Sequence, residues 1–268
     1  MLAPFEVLMD ADGPMYALPP EIEELYGRLG FDEPVVYANF VSSLDGVVTL
    51  GDQVSAGSVL SGKYPADRFL MGLLRACADA VLLGAGTLRA TPGHLWTPAH
   101  VYPDLGDAFA RLRRELRRDA EPRLVVLTAS GNLDPRHPAL VAGATVMTTA
   151  AGARRIGATL PACEVVQVGE KEGVDVSAVL DEMRRRGWRA ILTEGGPHVI
   201  GDLVTAGRLD EVFLTLSPVL AGRDRERRLG MVEGVELLPS DGVWTRLQSA
   251  RRHGDYLFLR HRLNATQL

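Results

Sequence analysis

Residues 79–87 have the sequence Asp-Ala-Val-Leu-Leu-Gly-Ala-Gly-Thr, and they suggest the architecture of the whole chain. Residues 80–83 are apolar without alternation, which predicts a short strand buried on both faces. Gly84-Ala85-Gly86-Thr87 then predicts a tight turn into a helix, because glycine permits close backbone approach and threonine caps helices. Strands buried on both faces are typical of parallel sheets covered by helices.

The same pattern continues in both directions along the chain. The sequence predicts further apolar strands at 35–41, 124–127, 144–147, 165–168 and 190–192, and helices at 65–78, 107–118, 176–186 and 197–206. The last part differs, because strands are predicted at 210–219, 245–252 and 256–263 without helices between them, the last two forming an antiparallel hairpin. We therefore predict an α/β fold, with a mostly parallel central sheet flanked by helices and antiparallel C-terminal strands. Residues 1–34 are predicted as an N-terminal arm and 35–268 as one domain.

The amino-acid composition excludes only a few classes of function. The 268 residues are 46% hydrophobic and 24% charged, with a net charge of −5, which argues against a nucleic-acid partner. The two cysteines, Cys77 and Cys163, are too few for a cysteine-rich zinc site, and we expect both to be reduced and no metal to be bound. Neither a basic-then-apolar leader nor a membrane-length apolar run is present in the sequence, so we expect a cytoplasmic protein with no membrane partner.

Three predicted strand ends carry small or hydroxyl residues, and ligands of open α/β sheets bind beyond such ends. They are Gly84–Thr87, Thr128-Ala129-Ser130-Gly131 and Thr193-Glu194-Gly195-Gly196-Pro197. The first two are explained equally well as plain turns. The third favours a pyrophosphate site, because a glycine pair before a helix exposes consecutive amide N–H groups. The spacing is not that of the G-x-G-x-x-G fingerprint, but three such ends on one sheet together favour a dinucleotide ligand.

The ordered motifs resemble the reductase of riboflavin biosynthesis, a family with the dihydrofolate-reductase-like fold. The resemblance runs from about residue 35 to the C-terminus. It rests on Ser43-Leu44-Asp45-Gly46, Asp67-Arg68 with Leu74-Arg75-Ala76, the stretch 79–87, Leu192–Pro197 and Leu209–Pro218.

This resemblance implies an NADPH-dependent reduction in which hydride reaches C1′ of a phosphoribosylaminopyrimidine and gives a ribitylamino product. Asp45 and Glu194 are the implied catalytic residues. The positions that match the substrate side are Asn39, Ser43, Ser61 and Arg68, and we expect Arg68 to bind the phosphate. The positions predicted to bind NADPH are Gly84, Gly86, Thr87, Thr128, Ser130, Gly195 and Gly196. Arg89 and Ser130 are candidates for the 2′-phosphate.

Two departures keep other functions open. Many family members have lysine at the position of Asn39, and an acidic pair where Arg89-Ala90-Thr91 precedes Pro92. The alternatives are a reductase of dihydrofolate or another pterin on the same fold, and a non-catalytic NADPH-binding protein. The P-C-x-x-C of the deaminase domain fused to many bacterial members does not occur in the sequence.

Two further predictions concern the surface of the protein. Arginine-rich runs at 111–118, 184–186 and 223–228 are interpreted as solvated surface. A homodimer is expected through the C-terminal strands, because their apolar side chains exceed what one sheet edge needs. These side chains are Phe213, Leu214, Leu216, Tyr256 and Phe258.

Overall fold

A computed structural model describes residues 2–51, 54–169, 173–222 and 228–263. Ten strands form one sheet in the order β1-β9-β10-β8-β2-β7-β3-β4-β5-β6. The strands are β1 Glu6–Asp10, β2 Val35–Ser42, β3 Ala80–Gly84, β4 Arg123–Thr128, β5 Thr145–Thr148, β6 Glu164–Gln167, β7 Ala190–Thr193, β8 Glu211–Leu216, β9 Thr245–His253 and β10 Tyr256–Leu263.

Helices connect most of the parallel strands. They are α1 Pro20–Tyr26, α2 Ala56–Leu60, α3 Pro65–Ala76, α4 Ala85–Ala90, α5 Pro98–Val101, α6 Gly106–Glu115, α7 Pro138–Val141, α8 Ala150–Ile156, α9 Val176–Arg185 and α10 Pro197–Thr205, with a 3₁₀ turn at Pro103–Leu105. Proline at the first position of α3, α5 and α10 agrees with its preset φ angle and its missing N–H. In the part of the chain described, no helix has the length and apolar content needed to cross a membrane.

The pairing confirms the predicted fold class. From β8 to β6 the neighbouring strands are parallel, whereas β10, β9 and β1 pair antiparallel at the other side of the sheet. β8 belongs to both parts, because it pairs parallel with β2 and antiparallel with β10. The parallel strands are buried on both faces, as their continuous apolar sequences predict, except for the edge strand β6, which is partly exposed.

Each face of the sheet has its own core. α3 and α6 cover one face, where Phe69 and Phe109 are buried with side chains of β3 such as Leu83. α9 and α10 cover the other, where Met183 and Ile200 are buried. Helix α3 is thereby fixed along the sheet, which positions the polar side chains that this helix presents beyond the strand ends.

The N-terminal segment is part of this architecture. β1 pairs with β9 and forms one edge of the sheet. Phe5, Ile22 and Tyr26 are buried in the same core as Phe69. Residues 2–34 therefore extend the sheet and its core, although the sequence predicts them only as an arm.

Two of the arginines predicted as solvated surface are buried. Arg113 is 2% exposed and donates to the backbone carbonyls of Arg75, Ala76 and Ala78, at the end of α3. Arg118 forms ion pairs with Glu33 and Asp79. The prediction was wrong for these two because the long side chain of an arginine reaches buried partners, which are helix-end carbonyls for Arg113 and two carboxylates for Arg118. Residues 223–227 of the third run lie outside the described residues.

The apolar C-terminal strands are also used differently from the prediction. Phe213 and Phe258 are 1% and 2% exposed and lie in the core. Tyr256 stacks on Tyr64, with ring centroids 4.0 Å apart. Only Leu214 and Leu216 of the predicted set point to the opposite face, because side chains alternate along a strand. They share that face with Leu257 and Leu259, which lie opposite them on β10.

Candidate functional site

A cleft of about 1070 Å³ lies beyond the carboxyl ends of β2, β7 and β3. These three strands are neighbours in the sheet, so the loops that follow them meet at one place. Helix α3 and the segment 94–101 form the opposite wall. The volume is at the upper end for small-molecule sites, which is sufficient for a cofactor and a substrate together.

The glycine-containing turns after β3 and β7 form one side of the cleft. Gly86, Thr87, Gly195 and Gly196 all line it. A Cβ atom on Gly196 would lie 3.8 Å from Thr87 Oγ1, so the two turns are in direct proximity. A Cβ on Gly195 would lie 2.9 Å from Val199, so this position has no room for a side chain. No side chain caps α10, which leaves the N–H groups of its first turn for an anion.

Gly84 and Arg89 lie close to this side without lining the cleft. A Cβ atom on Gly84 would lie 3.4 Å from Val199 of α10, so the backbone here brings β3 against the helix. Arg89 is exposed on α4. Its assignment to a 2′-phosphate stays a prediction.

The turn after β4 does not line the cleft. Thr128 Oγ1 accepts from the Gly131 amide, and Ser130 Oγ accepts from the Asn132 amide. Gly131 has φ +67°, and a Cβ atom there would lie 2.4 Å from the carbonyl oxygen of Gly152 at the start of α8. Small residues in this turn therefore permit tight backbone packing. Cofactor binding by Thr128 and Ser130 stays a prediction.

Of the four residues predicted on the substrate side, three line the cleft and one does not. Asn39, Ser61 and Arg68 line the cleft. Arg68 Nε donates to the Val101 carbonyl at 3.1 Å, which orients the guanidinium and leaves its two terminal nitrogens for a ligand. Ser43 is buried outside the cleft, where its hydroxyl donates to Asp45 Oδ1 at 2.6 Å.

Asp45 connects two loops and does not line the cleft. Its carboxylate accepts from the backbone amides of Ala221 at 3.0 Å and Gly222 at 2.7 Å, in addition to the hydroxyl of Ser43. These donors, Ser43 first, lower the pKa of Asp45 to about 2. The group is therefore ionised at neutral pH and cannot supply a proton there. A catalytic role for Asp45 stays a prediction, and its contacts point to a positioning one.

Glu194 lies in the cleft wall and forms a bidentate ion pair with Arg75 of α3. Nε of Arg75 donates to Oε1 at 2.8 Å, and Nη2 donates to Oε2 at 2.7 Å. The two side chains are 11% and 1% exposed. The guanidinium of Arg75 thus contacts both oxygens of the Glu194 carboxylate. Glu194 lines the cleft, as expected for a site residue. Its buried partner Arg75 was not among the predicted site residues.

Asp67 is a titratable cleft residue to which the sequence assigned no role. It lies in the first turn of α3, lines the cleft and is 5% exposed. Among the described residues it forms no ion pair with arginine or lysine. Burial raises the pKa of Asp67 to about 6. The charge of Glu194 acts in the same direction, whereas the hydroxyls of Thr215 and Ser61 act to lower the pKa. An acidic residue in the first helical turn normally indicates an exposed group beside the helix dipole, so no sequence signal distinguished it.

The wall opposite the glycine turns contains further residues that the sequence analysis missed. Lys63 and His100 are exposed at the cleft, while His94 and Trp96 lie deeper. They come from loops and short helices whose positions follow from packing against α3. The cleft thus combines an amide-lined side suited to a pyrophosphate with a side carrying cations and a protonatable carboxyl. Such a site can hold a dinucleotide beside a phosphorylated substrate.

Comparisons with known proteins agree with this arrangement. The sequence profile of the family described as "RibD C-terminal domain" matches residues 34–254. The chain is 27% identical over 192 residues to the 2,5-diamino-6-ribosylamino-4(3H)-pyrimidinone 5′-phosphate reductase of Archaeoglobus fulgidus, covering 71% of this chain and 84% of that protein. It is 25% identical over 228 residues to the protein of the same name from Methanothermobacter thermautotrophicus, covering 85% and 97%. The structure of a pyrimidine reductase-like protein from Corynebacterium diphtheriae superposes with a TM-score of 0.71 at 22% identity, covering 91% and 98%.

Proposed function

Because the chain belongs to the RibD C-terminal domain family, we propose that it is an NADPH-dependent reductase of riboflavin biosynthesis. Its substrate is a phosphoribosylaminopyrimidine and its product the ribitylamino compound. The observation that carries the proposal is the shared cleft, in which the glycine turns after β3 and β7 face the cationic and acidic side chains of α3. The names of the two archaeal relatives support the substrate class.

The amide-lined side is proposed to hold NADPH. Gly195 and Gly196 let the pyrophosphate approach the first turn of α10, where N–H groups and the helix dipole favour negative charge. Thr87 lies next to Gly196 and offers a hydroxyl to the same ligand. When bound there, NADPH supplies the hydride, and the protein contributes position and charge.

The opposite side is proposed to bind the substrate. Arg68 is fixed by the Val101 carbonyl and directs its remaining N–H donors into the cleft, where they suit a phosphate. Lys63 adds a second cation, and Asn39 and Ser61 offer uncharged donors and acceptors. A neutral heterocycle with a charged phosphate at one end matches this distribution.

Asp67 is the proposed proton source. Reduction of the ribose carbon by hydride requires a proton at the neighbouring nitrogen or oxygen, and a general acid works best when its pKa lies near the working pH. Among the carboxyls at or near the cleft, Asp67 has a pKa raised to about 6 by burial, whereas that of Asp45 is lowered. These opposite directions support Asp67 as the acid and a structural role for Asp45, which connects two loops.

The direct test uses NADPH carrying deuterium at the transferable position. The purified chain is incubated with it and, in three parallel reactions, with the diamino pyrimidinone phosphate, with its deaminated form and with dihydrofolate. We expect oxidation of the cofactor and one deuterium at C1′ of the ribityl product from at least one of the two. Tight NADPH binding without product from either substrate would favour a non-catalytic protein, and deuterium in tetrahydrofolate alone would favour a pterin reductase.

A homodimer is proposed through the exposed sheet face of β8, β9 and β10. Leu216 and Leu257 lie opposite each other there, as do Leu214 and Leu259, and all four are partly exposed. An uncovered apolar sheet face of this kind is typical of a subunit interface. Light scattering is expected to give twice the chain mass of 29.0 kDa. A monomer at micromolar concentration would contradict this part of the proposal.

A further inference from the structure

His94 lies in the cleft wall between α4 and α5, next to the Arg75–Glu194 pair. Its backbone amide donates to the Thr91 carbonyl at 3.0 Å. Its ring packs edge-to-face against Trp96 and His100, with centroids 5.0 and 4.8 Å away. The backbone hydrogen bond and the two ring contacts therefore restrict the position of the His94 side chain, although the residue belongs to a loop.

The contact with Arg75 fixes the position of the His94 proton. Nη2 of Arg75 lies 3.0 Å from His94 Nε2. A guanidinium has only donors, so Nε2 must be the acceptor and carries no hydrogen. The neutral ring must then carry its proton on Nδ1. No acceptor for Nδ1 is found among the described residues, and Nδ1 is not one of the enclosed polar atoms that lack a partner.

Arg75 has little freedom to release this nitrogen. Its guanidinium is held by both carboxylate oxygens of Glu194, and Nη1 donates to the carbonyls of Leu95 and Thr97 at 3.3 and 3.4 Å. The side chain is 1% exposed. An arginine with all these contacts cannot rotate without leaving a buried carboxylate unpaired, which is costly. The Arg75–Glu194 pair, which lies in the same cleft wall, thus determines the tautomer of His94.

The surroundings keep the His94 ring uncharged. Arg75 contacts the ring at Nε2, and His100 packs against its edge. Burial first, and then the guanidinium of Arg75, lower the pKa of His94 to about 3. The ring therefore offers one uncharged N–H donor over the whole physiological pH range.

We propose that His94 is a substrate-binding residue whose Nδ1–H donates to an uncharged acceptor of the pyrimidine ring, a carbonyl oxygen or ring nitrogen. Arg75 and Glu194 are its positioning residues. A neutral donor beside a carboxylate suits a heterocycle better than a phosphate, which the exposed cations Arg68 and Lys63 attract more strongly. This inference rests on the proposed function for the identity of the ligand, but not for the tautomer.

The first experiment measures the tautomer without any ligand. The full chain is labelled with ¹⁵N-histidine, and the His94 signals are identified by their loss in His94→Gln. Long-range ¹H–¹⁵N spectra are expected to show hydrogen on Nδ1 and none on Nε2, unchanged between about pH 5 and pH 8. In Glu194→Gln, which loosens Arg75, a mixture of tautomers is expected. An Nε2–H tautomer, or titration within that range, in the unmodified chain would overturn the proposal.

The second experiment separates the two nitrogens by substitution. In His94→Gln the side-chain oxygen still reaches Arg75, but the Nδ1 donor is lost. In His94→Asn the amide nitrogen takes the place of Nδ1. We expect KM for the pyrimidine phosphate to rise about tenfold in His94→Gln and clearly less in His94→Asn, while the Kd for NADPH is unchanged in both.

The control for this series is His261→Gln on β10, outside the cleft, for which KM is expected to stay at the original value. Equal KM values for the original chain and His94→Gln would overturn the inference while the proposed function stands. If the original chain reduces no pyrimidine, the proposed function fails, and the tautomer measurement still tests the positioning by Arg75. A rise in KM equal in both His94 variants would show a packing role and overturn the donor assignment.

Discussion

Asp45 and Asp67 are both carboxylates near the end of β2, and the structure uses them in opposite ways. Asp45 receives two backbone amides and a hydroxyl and connects the loop after β2 to residues 221–222. Asp67 is buried in the cleft and forms no ion pair with any residue that the structure describes. The first environment stabilises the charged form and the second the neutral form. The number of hydrogen-bond donors around each carboxyl, rather than its distance from the sheet edge, therefore distinguishes the two residues. Asp45 links two loops, and Asp67 is the candidate acid.

The largest expected effect is on the activity of the Asp67→Asn variant. Asparagine keeps the shape but cannot donate an acidic proton, so kcat is expected to fall by about 10²-fold to 10⁴-fold. NADPH affinity is expected to stay unchanged, because Asp67 lies on the opposite wall from the glycine turns. The matched control is Asp45→Asn, measured by the same NADPH oxidation assay. A larger loss of kcat in Asp45→Asn than in Asp67→Asn would reverse the two roles.

The next effect concerns the third carboxylate, Glu194. Glu194→Ala leaves the buried guanidinium of Arg75 without its counter-charge, so the free energy of unfolding is expected to fall by about 3 kcal/mol. Urea unfolding followed by circular dichroism measures this. The control Glu6→Ala removes an exposed ion pair with Arg252 and is expected to lower stability by under about 1 kcal/mol. Equal losses in the two variants would show that the Arg75 pair is not buried in solution.

The two aspartates also predict opposite pH dependences of stability. The folded-state pKa of Asp67 is raised to about 6, so the folded protein holds a proton that the unfolded chain has released. Stability is thus lost as the pH rises from about 4 to 6, by about 3 kcal/mol. The pKa of Asp45 is lowered to about 2, so its contribution is lost as the pH falls from about 4 towards 2.

Unfolding free energies measured across pH 3 to 8 check both windows. Asp67→Asn is expected to flatten the upper window only, and Asp45→Asn the lower window only. Asp67→Asn should therefore be more stable than the original chain at neutral pH, which makes misfolding a poor explanation for its lost activity. A flat upper window in the original chain would mean that Asp67 is not buried as a neutral acid.

The smallest expected effect distinguishes two hydroxyls that look alike in the sequence. Thr87 and Ser130 both follow a strand and a small residue, but only Thr87 lines the cleft. Thr87→Val is expected to raise the Kd for NADPH about fivefold, as for the loss of one hydrogen bond, and Ser130→Ala to leave it unchanged. Calorimetric titration measures both. A weaker affinity in Ser130→Ala alone would place the cofactor over the β4 turn.

The fold could be predicted because several local sequence patterns indicate the same architecture. Continuous apolar runs such as 80–83 and 190–192 predict buried parallel strands, and the structure contains them as β3 and β7. Gly195 and Gly196 were predicted to bind a ligand because a glycine pair before a helix exposes amide N–H groups, and both line the cleft, while their binding of a cofactor stays a prediction. The edge strand β1 was missed, although it contains three consecutive apolar residues, Val7 to Met9.

The residues of the site that depend on long-range packing could not be predicted. Arg75 and Glu194 are 119 positions apart, and only the register of β7 within the sheet brings them together. The pairing of His94 with Arg75 depends on a loop conformation with no periodic signal. The burial of Asp67 depends on where α3 packs, and that is fixed by apolar contacts on the other side of the helix.

The most direct test of the cleft as the ligand site is amide hydrogen exchange with and without NADPH. The account predicts slower exchange at residues 86–91 and 194–199, and unchanged exchange at residues 128–131. Protection confined to 128–131, or no protection in either cleft segment at saturating NADPH, would contradict it.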